Sequence, residues 1–220
     1  MQSIIERQRK PSPGARPQPL AYLDGILYVG SLDTSVIYEI ETASWHVRAQ
    51  SAAPGRPYGM AVLDGTVRVV VSIGEEDDRY LHTFVPGKGF DPSGIALPGL
   101  SGSHLASDGS SLYLLQIGNR CIVTFDADGR VKKQTALAQR LAGIGFANGK
   151  LYGLAGDEEF EHLHLAEVDL RGTEVAIAEI ASISDEARGL THDGNAWWTC
   201  YRPRRALQYR TPMGTSKSHG

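Results

Sequence analysis

Cysteine is scarce in this chain, and its scarcity limits what can hold the fold together. Only two cysteines, Cys121 and Cys200, occur among 220 residues, and they form no Cys-x-x-Cys pair. A chain of this length buries roughly 70% of its extended surface on folding, so it needs no disulfide or structural metal for stability. We therefore expect two reduced, structural thiols in a cytoplasmic protein.

Long apolar runs and a strong net charge are also lacking. No apolar run approaches the roughly 20 residues that span a bilayer. The first seven residues lack the apolar core of a signal peptide. The net charge is only −3, which argues against a general affinity for nucleic acid or anionic membranes. We expect neither a nucleic-acid nor a membrane partner.

What the chain does contain is a repeat. Residues 16–29 (RPQPLAYLDGILYV) are echoed by residues 56–69 (RPYGMAVLDGTVRV), with seven of the fourteen positions identical. Weaker copies follow, and the turn glycines of the five copies fall at positions 25, 65, 109, 149 and 194. These steps of 40 to 45 residues are typical of propeller blades or solenoid coils.

Each copy divides into four short strands. The first strand runs into an Asp-Gly or Asn-Gly turn, a tight hairpin signal because these residues tolerate positive φ. The later strands are predicted at 26–30, 67–73, 112–116, 151–155 and 196–201 (second), at 36–40, 80–85, 121–125, 162–168 and 206–209 (third), and near 46–49, 94–97, 131–135 and 175–180 (fourth). Four-stranded units at this period predict an all-β, five-bladed β-propeller with four antiparallel strands per blade.

We expect one propeller domain over residues 1–213 and a flexible polar tail over residues 214–220. The predicted blades cover residues 16–50, 56–98, 103–137, 143–180, and 188–210 with 3–8. The last copy stops after its third strand, which would leave a bare sheet edge. The apolar pair Ile4-Ile5 is well placed to supply the missing strand. We therefore predict that the N-terminal strand closes the ring in the last blade.

The blade signature resembles a known group of propellers. Its Gly-x-Ala-x-x-Asp-Gly-x-Leu-Tyr-Val character is similar to that of NHL-repeat, gluconolactonase-like and virginiamycin-lyase-like proteins. The five-blade count is similar to that of plant and bacterial glutaminyl cyclotransferases. The resemblance covers about residues 16–210, and its motif marks blades rather than a catalytic site.

The resemblance implies sites that this chain matches only in part. Gluconolactonase-like proteins imply a metal held by carboxylate and amide side chains at the channel mouth. The matching positions here are Tyr22, Met60, His104 and Phe146. The cyclotransferases imply an acid beside the Gly-Leu of an inner strand, and Glu186 comes nearest. We carry no catalytic residue over from these families.

One face of a propeller gathers the loops that lead into the inner strands, and ligands usually bind there, at the mouth of the axial channel. Tyr58, His104 and Arg188 take equivalent or nearby positions in three inner strands, pointing towards the axis. They can bind an anionic or carbonyl-bearing ligand, with His104 as a candidate for proton transfer. Alternatively, they plug a narrow channel by hydrogen bonding to one another. The predicted substrate-binding residues on the same face are Gln18, Asn119, Arg120 and Arg202.

A His-x-His pair offers weak metal-binding candidates. Alternation along a strand places His162 and His164 on one face, where two imidazoles can chelate zinc or copper. His82, in the equivalent strand of the second blade, is a remote third ligand. Such a pair more often packs between blades. The sequence therefore predicts no firm cofactor and leaves a divalent metal open.

No glycine-rich phosphate loop, nucleophile elbow or Cys-x-x-Cys pair names a reaction. Two functions remain. The first is a small-molecule binder or an enzyme of the lyase, lactonase or cyclotransferase kind, with its site at the axial channel mouth. The second is a protein-interaction scaffold that presents a propeller face to a partner without catalysis.

Overall fold

The computed structural model describes residues 2–3, 6–172, 175–184 and 186–202. These residues form an all-β propeller, as the repeat predicted. Strand β1 is Gln2–Ser3. The first blade contains β2 (Pro17–Leu23), β3 (Ile26–Ser31), β4 (Val36–Glu41) and β5 (His46–Ala52). The second contains β6 (Arg56–Leu63), β7 (Thr66–Ile73), β8 (Asp78–Val85), β9 (Gly89–Phe90) and β10 (Ile95–Ala96).

A 3₁₀ turn over Pro98–Leu100 leads into the third blade. The third blade contains β11 (His104–Ser107), β12 (Leu112–Gln116), β13 (Cys121–Phe125) and β14 (Val131–Ala136). The fourth contains β15 (Arg140–Ala147), β16 (Lys150–Gly156), β17 (His164–Asp169) and β18 (Ala176–Ser182). A last sheet consists of β19 (Ala187–His192) and β20 (Trp197–Tyr201). Among the described residues, no helix is long and apolar enough to span a bilayer.

Within this part of the chain, four sheets have the predicted four-stranded path, and the last sheet has two strands. The predicted third strand of the fifth copy, at 206–209, lies outside the described residues. The count of five blades therefore stays a prediction.

The prediction for the N-terminal strand needs correction. Gln2 and Ser3 pair in parallel with Ala181 and Ser182 at the outer edge of the fourth blade, rather than with the last sheet. An outer strand presents unpaired backbone groups wherever a sheet ends. A short apolar segment therefore cannot specify by its sequence which edge it joins. Ile4 and Ile5 themselves lie outside the described residues.

The Asp-Gly and Asn-Gly turns form as predicted. Both central residues have positive φ at Asp24-Gly25, Asp64-Gly65 and Asn148-Gly149, as a type I′ hairpin requires. In the third blade, the side chain of Asp108 instead accepts hydrogen bonds from the backbone of Ser110 and Ser111. These turns end the inner strands at the face opposite to the channel mouth discussed below.

The cores lie between neighbouring sheets, because each sheet must cover the apolar face of the next. Five clusters of buried residues follow one another around the ring. The fifth cluster joins the last sheet to the first blade by packing Cys200 against Leu20, Leu27 and Ile40. The inner strands β19 and β2 also contact each other. Packing between these sheets thus closes the ring.

Glycine allows the inner strands to approach closely at the axis. A Cβ at Gly59 would meet the backbone of His104, and one at Gly143 would meet the backbone of Gly189. Gly189 has φ +68°, and a Cβ there would collide with the carbonyl oxygen of Gln18. Small residues at these points bring the channel-mouth ends of the inner strands together.

Candidate functional site

β-Bulges mark the channel-mouth end of four inner strands. The pairing register shifts between Pro17 and Leu20, between Pro57 and Gly59, between Leu141 and Ile144, and between Arg188 and Thr191. A bulge bends its strand and redirects the extra side chain. Gln18 and Tyr58 therefore leave the ordinary alternation of their strands.

The redirected side chains line one cavity of about 220 Å³, which we call the axial cavity. Every inner strand or the loop leading into it contributes to the wall. The lining residues are Gln18, Tyr58, Ser103, His104, Ile117, Ala142, Phe160, Arg188 and Arg202. The structure thus brings together five of the seven predicted catalytic and substrate-binding residues.

Gln18 connects two parts of the axial cavity. Its side-chain amide donates to the carbonyl oxygen of Tyr58 at 3.1 Å, and its Oε1 accepts a hydrogen bond from Nη1 of Arg202 at 2.8 Å. Burial lowers the pKa of Arg202 from its usual value, and the nearby Arg16 lowers it further. The Arg202 guanidinium thus hydrogen-bonds to a neutral amide rather than to a carboxylate.

His104 is almost fully buried, with 4% of its surface exposed. Its pKa falls from 6.5 to about 3, first because the ring is desolvated and then because Arg188 and Arg202 oppose a further positive charge. Within the described residues the structure shows no hydrogen bond to this ring. His104 is therefore a neutral imidazole at pH 7 and a weak base in the unliganded cavity.

Tyr58 is held from behind by a residue that the sequence reasoning missed. The guanidinium of Arg79 lies 3.8 Å from the centre of the Tyr58 ring. Arg79 also donates to the carbonyl oxygen of Gly102 at 3.0 Å and pairs with Asp77 at 2.7 Å. Hydrogen bonding to Arg79 is the main cause that lowers the pKa of Asp77 to about 2. The stack fixes the phenol ring at the cavity wall.

Phe160 is a second residue that sequence reasoning missed. It lies in the loop between β16 and β17 and reaches the axial cavity. The guanidinium carbons of Arg140 and Arg188 lie 4.9 Å and 5.4 Å from the centre of its ring. Nothing in the local sequence distinguishes this phenylalanine from a core residue, because its role depends on where the loop folds back.

Asn119 and Arg120 do not line the axial cavity. The Asn119 amide donates to the side chain of Gln116 at 3.0 Å, and Arg120 forms an exposed ion pair with Glu158 at 2.6 Å. Their loop joins the second and third strands as predicted, but its side chains turn towards their own blade and the fourth blade. Glu186, the acid nearest to the cyclotransferase pattern, interacts with Tyr201 and raises the pKa of that phenol.

The histidine pair differs from the prediction. Strand β17 begins at His164, and His162 lies before it with φ +53°. The two rings therefore do not share a strand face by alternation. His162 is largely exposed and lies 3.2 Å from Asp157, whereas His164 is buried and lies 3.1 Å from Glu179. Both line a second cavity of about 660 Å³, the blade-four cavity.

His82 is not part of this second cavity. It is buried in the second blade, where it packs edge-on against Phe90 and close to Gly94. Burial lowers the pKa of its ring. His82, a remote candidate for a third ligand, therefore does not lie with His162 and His164.

No model of a known protein family matches the chain, and no curated protein matches it. Several solved structures do match the chain. The virginiamycin B lyase of Staphylococcus aureus, solved as an inactive variant with quinupristin, has a TM-score of 0.57 at 16% identity, over 87% of this chain and 65% of that one. The glutaminyl cyclase of Myxococcus xanthus has a TM-score of 0.63 at 14% identity, over 86% of each chain.

A Bacteroides thetaiotaomicron protein of unknown function has a TM-score of 0.58 at 13% identity, over 83% of this chain and 56% of that one. This chain thus spans about 65% of the length of the lyase that it matches. Identities at this level show the fold alone. The chain therefore has a β-propeller fold similar to those of the virginiamycin B lyase and the glutaminyl cyclase, as its blade signature predicted.

Proposed function

We propose that this protein binds a small anionic molecule in the axial cavity, as a ligand-binding protein or as an enzyme of the lyase, lactonase or cyclotransferase kind. The observation that carries the proposal is the cationic wall around a neutral histidine. Arg188 and Arg202 both depress the pKa of His104, and no carboxylate lines this cavity among the described residues. An anion bound there would interact favourably with the positive charges that act on His104.

The size and the polar groups of the cavity define the ligand class. Pockets for drug-sized ligands usually measure roughly 300–1,000 Å³, so a cavity of about 220 Å³ suits a smaller molecule. Guanidinium groups recognise carboxylates through charge-assisted hydrogen bonds. The phenol of Tyr58 and the imidazole of His104 can bind a neighbouring carbonyl or hydroxyl group. A small carboxylate with a second oxygen function meets these requirements.

The same geometry supports a role for His104 in proton transfer. With its pKa near 3, the free imidazole is a poor base at neutral pH. An anion beside Arg188 and Arg202 raises that pKa because it offsets their charge, which is a smaller cause of the shift than desolvation. We propose that His104 becomes a stronger base when the anionic ligand is bound. Similar propellers include a lyase and a cyclase, which is compatible with catalysis at such a site.

Calorimetric titration with a panel of small mono- and dicarboxylates tests the proposal. We expect at least one to bind, and Arg202→Gln to weaken it about 10-fold or more, since a hydrogen bond to a charged group contributes about 1.5–3 kcal/mol. Arg130→Gln is the matched control, because Arg130 is exposed and pairs with Asp128 away from the cavity. Equal affinities of wild type and Arg202→Gln, or no binding by any carboxylate, would refute the proposal.

The alternative, a protein-interaction scaffold, would require an apolar docking surface. The large apolar side chains that are exposed in the described residues are Ile73, Ile95, Leu100, Val131 and Tyr201. They come from the second and third blades, the turn between them and the last sheet. The axial cavity, in contrast, receives residues from every inner strand or the loop before it, and we therefore prefer the axial ligand.

We also propose that the last sheet is the inner half of a fifth blade. The support is its packing: one apolar cluster joins β19 to the fourth blade, and another joins β20 to the first blade. A complete blade would place residues 206–209 beside β20.

A further inference from the structure

The blade-four cavity combines several metal-ligating side chains that the axial site does not use. It lies beside the loop between β16 and β17 and the ends of β17 and β18. Asp157, Glu158 and Glu179 contribute carboxylates to its wall, and His162 and His164 contribute imidazoles. Arg140 is the one arginine on this wall, and it contacts Glu158 at 3.7 Å. The carboxylates thus outnumber the cation.

His164 is the central observation. About 7% of its surface is exposed, and its Nε2 has no hydrogen-bond partner within the described residues. The Nδ1 atom lies 3.3 Å from the carbonyl oxygen of His162, which can only accept a hydrogen bond. In the neutral ring that donates to this carbonyl, Nδ1 carries the proton and Nε2 presents a lone pair.

That lone pair lies beside another acceptor. Nε2 of His164 is 3.1 Å from Oε1 of Glu179, without hydrogen-bond geometry. Two acceptor atoms at this separation repel each other unless a proton or a metal ion lies between them. A histidine whose other nitrogen donates to a backbone carbonyl is the usual arrangement of a metal ligand. Zinc binds imidazole nitrogen and carboxylate oxygen at about 2.0–2.2 Å, so one ion can reach both atoms.

A second group of ligands lies at the rim of the same cavity. Asp157, Glu161 and His162 each bring one ligand atom to within 4.8 Å of the others. Oδ2 of Asp157 lies 3.2 Å from Nδ1 of His162, while its Oδ1 accepts backbone hydrogen bonds and fixes the loop. The His162 side chain is 87% exposed, so it has room to turn towards an ion.

We propose that the blade-four cavity binds a divalent transition-metal ion such as zinc, with His164 and Glu179 as inner ligands. The rim atoms of Asp157 and His162 do not group with these two ligand atoms in the structure, so the exposed His162 side chain must turn inward to complete the coordination. The site is separate from the axial cavity and does not depend on the function proposed for it. It also differs from the His-x-His chelate that strand alternation suggested, because its two histidines approach from the loop and from the strand.

Calorimetric titration of the full, chelator-treated chain with zinc chloride tests the proposal. We expect one zinc ion to bind with a dissociation constant tighter than roughly millimolar. His164→Gln and Glu179→Gln should each weaken binding by on the order of tenfold or more, and so should Asp157→Asn. His46→Gln is the matched control, since His46 is an exposed strand histidine of the first blade and should leave affinity unchanged.

Thermal unfolding in chelator separates loss of a ligand from loss of the fold. Glu179 and Asp157 are partly exposed, so their variants should melt close to wild type even if His164→Gln does not. No zinc binding by wild type would overturn the proposal and leave His164 and Glu179 as an ordinary ion pair. Unchanged affinity in both Glu179→Gln and His164→Gln would overturn it as well. If only Asp157→Asn left the zinc affinity unchanged, the assignment of Asp157 as a metal ligand would be overturned.

Discussion

The protein should lose stability in mild acid because of His104. Replacing His104 should abolish this part of the loss. The folded protein holds the pKa of this ring at about 3, against 6.5 for an ordinary histidine. Below pH 6.5 the unfolded chain takes up a proton at this position, and the folded chain does not. The free energy of unfolding is therefore independent of His104 protonation above pH 6.5. It falls progressively as the pH is lowered from 6.5 towards 3.

The magnitude follows from the size of the shift. Each pH unit inside that window costs about 1.4 kcal/mol of the free energy of unfolding. Between pH 7 and pH 5, about 1.5 units lie inside the window, so the loss due to His104 is about 2 kcal/mol. Desolvation is the main cause of the shift, so moderate salt should leave most of this loss in place.

Urea unfolding at pH 7 and pH 5 measures this loss for wild type and for His104→Gln. Carboxylates and the other histidines titrate in both proteins, so they cancel when the two free energies are subtracted. We expect wild type to lose about 2 kcal/mol more than the variant over this interval. His46→Gln, which replaces an exposed ring, should show the wild-type loss. A difference between wild type and His104→Gln that is the same at both pH values would refute the reasoning.

Two further predictions concern the ring. Gly189→Ala should lower the free energy of unfolding by about 3 kcal/mol, since the new Cβ combines a strained positive φ with a collision against Gln18. Gly149→Ala, at φ +73° in open space, should cost only about 1 kcal/mol; equal losses in urea unfolding would contradict the close approach. Truncation after residue 204 should lower the melting temperature if residues 206–209 complete a fifth blade. An unchanged calorimetric melting temperature would show that the last sheet ends with β20.

Local signals predicted most of the strands. Asp-Gly and Asn-Gly pairs tolerate positive φ and favour tight turns, so the turns at positions 25, 65 and 149 could be located without tertiary information. Strands 112–116 and 121–125 were predicted to the residue. The start of β17 was missed by two residues, because His162 takes a left-handed conformation that its local pattern does not indicate.

The candidate site was only partly open to prediction. Repeat register indicated which residues lie near the axis, so Gln18, Tyr58, His104 and Arg188 could be named. The same register misplaced Asn119 and Arg120. Arg79 and Phe160 carried no signal, because each reaches its place by packing against a side chain of another strand or loop.

The amino-acid sequence determined the period, the turns and the propeller class, since these depend on backbone preferences within a few neighbouring residues. Only the tertiary structure decided which side chains meet. The axial cavity joins strands that lie about forty residues apart in the chain, and bulges redirect the side chains at Gln18 and Tyr58. Tertiary packing also placed Gln2 and Ser3 on the fourth blade, because a free sheet edge, unlike a turn, is specified by what lies next to it in space.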